Sequence, residues 1–195
     1  MAKDLTYAGE ARKKLLMGSE KLSKTVAVTM GPQGKNVILG KFVGAPVLTK
    51  DGVSVAREIV LDDPVEELAC QLIKEAAGRT ASVAGDGTTT ATVLAHEIFR
   101  LGSELIDSGY SPLSFKRGVE WAVQEVVRNL EGMAKPVSGY ETLRDIASIS
   151  ANNDYEIGEK IAEAFDVAGL EGTVAAEACP GGRTDVRFID GTELK

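Results

Sequence analysis

Between residues 9 and 29 apolar positions recur at Ala11, Leu15, Gly18, Leu22 and Val26, with Lys and Glu between them. Spacing of three and four marks one face of an amphipathic helix. The pattern stops at Met30-Gly31-Pro32-Gln33-Gly34, where glycine and proline end a helix. Residues 36–42 and 46–49 then read as short strands joined by Val43-Gly44-Ala45, a hairpin. Asp63-Pro64 offers an N-cap followed by an N1 proline, and Val65, Leu68, Leu72, Ile73, Ala76 and Thr80 continue one predicted face towards Ala84. After a glycine-threonine loop the chain re-enters a helix with a predicted inner face of Leu94, Ile98, Leu101 and Leu105, ending at Ser108-Gly109. Ser111-Pro112 repeats the cap-and-proline start, and Phe115, Val119, Ala122, Val126 and Leu130 follow at helical spacing. Four long helices therefore dominate residues 1–134.

The pattern breaks near Pro136, a candidate boundary. Two shorter helices are predicted over residues 140–149 and 154–167, then two strand-like runs over 173–177 and 184–189, with Pro180-Gly181-Gly182 as the turn between them. In the second run Val186 and Phe188 alternate with Asp185 and Arg187, as in a half-buried strand. The expected fold is mainly α with a small β-hairpin, followed by an α+β segment.

Composition narrows the classes. The chain has 195 residues, with 22 Lys plus Arg against 29 Asp plus Glu, a net charge of -7. That balance argues against nucleic acid or an anionic membrane as partner, since both are held by clustered basic side chains. No apolar run reaches the roughly 18 residues of a membrane span, and the first residues lack the apolar region of a secretory signal. Cys70 and Cys179 lie far apart without a Cys-x-x-Cys pattern or a nearby His, so neither zinc nor a disulfide framework is indicated. A cytoplasmic location is expected. Glycine is 21 of 195 residues and aromatics are only 5%, which implies many turns and an aliphatic core. His96 lies off the predicted stripe of its helix and reads as an exposed or satisfied histidine, while Trp121, Tyr110 and the Phe residues read as packing elements. Arg57-Glu58 and Asp62-Asp63 read as a solvated face.

Candidate chemistry concentrates in Ala84-Gly85-Asp86-Gly87-Thr88-Thr89-Thr90-Ala91-Thr92. Small residues before a strongly periodic helix bring unpaired amide N–H groups and the positive end of the helix dipole to one point, an anion site. Gly85 and Gly87 let a phosphate approach the backbone, and the threonine hydroxyls add donors. Asp86 in such a cradle repels the ligand unless a cation intervenes, which points to Mg²⁺ bridging Asp86 and phosphate oxygens. Asp, Thr and Gly are also what any helix start prefers, so an ordinary cap remains an alternative on these residues alone. Residues 29–34 and Thr49-Lys50-Asp51-Gly52 are two further glycine turns. Together the three loops hold the parts of a nucleoside-triphosphate site, but spacing does not show that they meet. Gly34-Lys35-Asn36 lacks both the earlier Gly and the following Ser/Thr of a P-loop.

Four stretches in order carry a family resemblance: Thr29 to Val37, Thr49 to Ile59, Gly85 to Ala95 and Ile149-Ser150-Ala151-Asn152. They look like the N-terminal third of a group I chaperonin, the GroEL-like family. The likeness runs from about Ala2 to Gly191. It implies a multihelical ATP-binding equatorial domain over residues 1–134, a first intermediate-domain segment over 135–190, and the start of an apical domain at 191–195. It implies ATP, Mg²⁺ and K⁺ as cofactors, a homo-oligomeric ring of seven subunits, and a role in folding unfolded proteins with a co-chaperonin. By the same resemblance Thr29, Met30, Gly31 and Pro32 match the loop lining the nucleotide. Lys50 matches a residue near the phosphates and a monovalent cation, Asp51 the acidic residue beside the attacking water, and Asp86 the Mg²⁺ ligand. Gly87, Thr88, Thr89 and Thr90 match the phosphate loop, and Pro136 and Asp190-Gly191 the two hinges. Met30 and Gln33 are mild departures. Glu104 and Ser108, where that family faces its opposite ring, differ from its familiar pattern, so ring–ring contacts are not carried over.

Family members continue through an apical domain and a second equatorial half with a further catalytic Asp. The expectation is therefore a portion of a longer chain, nearly inactive and marginally stable in isolation, without the client groove and co-chaperonin site. The alternative is a short chaperonin-derived module that joins or inhibits rings without turnover.

Overall fold

The first helix, α1 (Ala8–Ala27), buries Gly18, Leu22 and Val26 of the predicted stripe, together with Ser19 and Ser23. The computed structural model describes residues 5–41, 44–169, 172–177, 181, 184–189 and 191. In chain order the remaining elements are β1 (Val37–Leu39), β2 (Val47–Thr49), α2 (Gly52–Glu58), α3 (Pro64–Ala84), α4 (Thr88–Asp107), α5 (Pro112–Met133), α6 (Tyr140–Ser150) and α7 (Tyr155–Ala168). The mainly helical architecture with a small hairpin is as predicted. Two compact units emerge, Met1–Val123 and Gln124–Lys195, so their division falls inside α5.

In the first unit α1 packs on α3 and α4, and α2 closes one side. Leu22, Val26, Val55, Ala56, Cys70 and Ile73 form the core, with Val37, Ile59, Leu61 and Ala95 packed against it. The approach of α1 to α3 is very close at Gly18, where a Cβ atom would lie 2.1 Å from the Glu66 carbonyl oxygen. The Cys70 thiol donates to the Gly18 carbonyl at 3.3 Å. Lys14 and Asp63 flank the seam as an ion pair of 2.8 Å, and Lys21 pairs with Glu66. The hairpin strands are antiparallel, with Val37 opposite Thr49, Ile38 opposite Leu48 and Leu39 opposite Val47; Phe42 and Val43 lie outside the described residues.

The predicted inner faces of α3 and α4 are corrected by this packing. In α3 the buried residues are Glu66, Ala69, Cys70, Ile73 and Ala77, while Leu68 and Leu72 face outward at 53% and 65% exposure. In α4 the buried residues are Thr88, Thr92, His96, Gly102 and Ser103, while Leu94, Ile98, Leu101 and Leu105 are exposed. Helices that approach closely select their smallest faces for the contact, and a spacing of three and four fits more than one stripe of an alanine-rich helix. His96 is buried and satisfied, its Nδ1 lying 3.0 Å from the Ser19 hydroxyl. The same hydroxyl also lies 2.7 Å from the Leu16 carbonyl oxygen. Trp121 and Tyr110, expected to pack, are both mostly exposed, and α5 buries no residue. Phe115 does pack, with its ring over Gly102.

In the second unit α6 and α7 pack against each other across a turn in which Asn152 and Asn153 both take left-handed backbone, φ 59 and 64. Gly158 sits against Ser148, whose hydroxyl oxygen a Cβ would meet at 2.0 Å. Residues 173–177 and 184–189 do not form strands. Among the described residues the sheet consists of β1 and β2, and Phe188 and Ile189 are about half exposed. An alternating pattern makes a strand only when a neighbour takes up its backbone hydrogen bonds. Pro180, Gly182 and Asp190 lie outside the described residues.

Candidate functional site

Asp51 is the N-cap of α2, a helix too short for periodicity to reveal. Its carboxylate accepts from the amides of Ser54 at 2.9 Å and Val53 at 3.3 Å and from the Ser54 hydroxyl at 2.6 Å. Its own N–H donates to the Thr49 hydroxyl at 3.0 Å. Desolvation pushes this carboxyl up, but the Ser54 and Val53 hydrogen bonds and nearby Arg57 outweigh it and hold Asp51 below its ordinary value. A depressed carboxyl contributes stability that is present above its unfolded-state pKa and lost as pH falls through the folded value. The protection of the Val53 and Ser54 amides against hydrogen exchange is therefore expected to fall on acidification below about pH 4. Protection unchanged there after correction for intrinsic exchange would show that the cap is not the cause.

The loop between α3 and α4 is shaped by two left-handed glycines. Gly85 (φ 74) closes α3 with its N–H on the Ala81 carbonyl at 2.8 Å, and Gly87 (φ 85) is the N-cap of α4. Residues with a Cβ resist this backbone. Asp86, exposed between them, accepts the Gly87 N–H at 2.6 Å through Oδ1. Gly87 supplies no side-chain cap, so the first-turn amides of α4 are left for other acceptors. Thr88 is buried, Thr89 half-buried and Thr90 exposed, and Thr88's carbonyl accepts the Thr92 hydroxyl at 2.9 Å.

After α1, the Thr29 hydroxyl donates to the Val26 carbonyl at 2.8 Å. Met30, Gly31 and Pro32 follow as an exposed turn, in which Gly31 is left-handed (φ 80) with open space where a Cβ would stand. Lys50 is exposed and, among the described residues, in no ion pair.

The three loops meet at Gly52. A Cβ there would lie 2.0 Å from the Thr89 hydroxyl oxygen and 3.2 Å from that of Thr29. Thr29, the Asp51–Gly52 corner and the first turn of α4 are thus in contact, which their separation in sequence left undetermined. Beneath the junction a cavity of about 80 Å³ is lined by Gly52, Ala56, Ala77, Gly78, Thr88 and Thr92, among others. Gly52 entered the sequence analysis only as part of a glycine turn and Ser54 was not singled out; the readable signal there was Asp51, a residue type preferred at N-caps.

The donor set suits Mg²⁺ held together with phosphate. Among the described residues no group of three or more His, Cys, Asp or Glu side chains forms a metal cage. Mg²⁺ is usually bound by one or two carboxylates plus phosphate and water oxygens, and Asp86 is exposed with Oδ2 outside its bond to Gly87.

The geometry defines a helical layer with an open, glycine-shaped loop at the start of α4. Residues 22–194 match the model of the TCP-1/cpn60 chaperonin family. The chain belongs to that family, whose members are protein-folding chaperones acting as oligomeric assemblies. Among the described residues no helix is long and apolar enough to cross a membrane.

Proposed function

We propose that the chain is a subunit of an ATP-driven, group I type chaperonin and carries the phosphate side of its nucleotide site. The observation that carries this reading is the contact of Thr29, Gly52 and Thr89 at one point, which joins three loops that are separately ordinary turns. In this reading the α4 amides and the hydroxyls of Thr88, Thr89 and Thr90 hold phosphate oxygens, with Gly87 admitting them to the backbone. Thr29, Met30, Gly31 and Pro32 line the nucleotide, and Lys50 stands near the phosphates and a bound K⁺.

Asp86 holds Mg²⁺, which when bound offsets the charge of the phosphate oxygens. Asp51 orients the attacking water. Because its carboxyl is held low by three hydrogen bonds, it is a weak proton acceptor, which fits alignment of the water better than removal of its proton. Residues 1–134 are the equatorial domain and 135–190 the first intermediate segment in this reading. The cytoplasmic assembly is a homo-oligomeric ring of seven, acting on unfolded clients with a co-chaperonin.

Titration of the assembled protein with ATP in the presence and absence of Mg²⁺ tests the proposal. Saturable binding that strengthens with Mg²⁺ is expected. Absence of binding, or binding indifferent to Mg²⁺, would remove the nucleotide reading.

A further inference from the structure

Gly52 has ordinary helical backbone: it is not among the residues of positive φ, so its lack of a side chain is not a matter of chain conformation. It is buried as the first residue of α2, and what it spares is space. The Cβ position falls 2.0 Å from Thr89 Oγ1, and 3.2 Å from both Thr29 Oγ1 and a methyl of Val26. Val26 is fully packed in the core, and the Thr29 hydroxyl is tied to the Val26 carbonyl. Neither neighbour is free to retreat. The Thr89 hydroxyl is the movable group, since a threonine in a helix has two accessible χ1 positions.

We infer that Gly52 is a positioning residue of the phosphate site: its missing side chain lets the Thr89 hydroxyl lie over the start of α2, fixing the α4 cradle against the Asp51 corner. The inference rests on the nucleotide reading above, in which Gly52 is only the point where the loops meet, and gives that residue a role of its own. A methyl group at position 52 drives Thr89 Oγ1 to its other rotamer or pushes α2 and Asp51 away from α4. The first acts on a ligand-holding hydroxyl alone, and the second also shifts Val55 and Ala56, which α2 contributes to the core. Misplacement on this scale in a reacting geometry costs on the order of tenfold to a hundredfold.

The test compares Gly52→Ala, Thr89→Ala and the double variant in the assembled protein, reading the Mg-ADP dissociation constant together with KM and kcat for ATP. Gly52→Ala alone is expected to weaken binding about tenfold or more. In the Thr89→Ala background, where the clashing oxygen is gone, adding Gly52→Ala is expected to change binding less than about twofold, the non-additivity of groups in contact. If Gly52→Ala does not assemble, a double variant that assembles and binds as Thr89→Ala does supports the same contact. Wild-type binding with Gly52→Ala unimpaired, or with the two substitutions multiplying independently, overturns the positioning role while leaving the nucleotide reading intact. No Mg-ADP binding by the wild type overturns both.

Discussion

Replacing Asp86 with alanine in the assembled protein is expected to reduce ATP turnover to near background while leaving the fold in place. The two effects separate because of how the loop is built. The left-handed backbone comes from Gly85 and Gly87, so it does not depend on the Asp86 side chain. That side chain is exposed, and among the described residues its hydrogen bond is to the adjacent Gly87 amide. Losing a local cap of this kind costs about 1 kcal/mol or less. The functional loss is much larger. With no carboxylate cage among the described residues, Asp86 is the candidate that holds the cation, and removing one electrostatic partner of a developing charge costs roughly a hundredfold to a thousandfold in kcat. Steady-state hydrolysis at saturating Mg-ATP, beside a thermal melt of the same sample, decides the matter. Full turnover by Asp86→Ala rings would sink the assignment, and a collapsed melt would make Asp86 a structural residue instead.

The largest effect on stability is expected from Gly18→Val. A Cβ at residue 18 meets the Glu66 carbonyl oxygen at 2.1 Å and the Glu66 carbonyl carbon and Cα at 2.7 Å. All three are backbone atoms in the first turn of α3, so the usual escape of a side-chain rotation is closed. To relieve the overlap α1 has to move away from α3, opening the seam that holds Leu22, Cys70 and Ile73 and the Cys70 thiol contact with Gly18. Overpacking of a core costs about 1–3 kcal/mol and occasionally more, and a backbone collision belongs at the upper end. Chemical denaturation is expected to show a clearly lower midpoint with far-UV helical signal retained below it. A midpoint equal to wild type would mean that the close approach of the two helices is not required.

Local signals in the chain were largely readable. Asp63-Pro64 caps α3 as its residue types demand, with the Asp63 carboxylate on the Val65 and Glu66 amides. The α1 stripe was readable because Gly18, Leu22 and Val26 lie on its most apolar line. In α3 the predicted stripe is right at Ile73, which is in the core, but elsewhere the larger Leu68, Leu72, Leu94 and Ile98 are exposed while the smaller Ala69, Cys70, Ala77 and Thr92 are buried. At Ala69, Ala77 and Thr92 small size outweighed hydrophobicity. Strand-like alternation over 184–189 misled in another way, since pairing depends on a partner and alternation does not supply one.

For the candidate site the division is similar. Glycine content, the lone carboxylate of Asp86 and three threonines at a helix start marked the loop as a candidate anion cradle with an ordinary cap still open, because caps, turns and helix dipoles act over a few residues. That Thr29, Gly52 and Thr89 touch was decided by tertiary structure. The packing of α1 against α3 and α4 brings together loops separated by more chain than any local interaction spans. The chain's own pattern determined where the helices and the hairpin form and which loops are rich in glycine and threonine; the close approach of the helices decided which faces are inside and that the three loops meet.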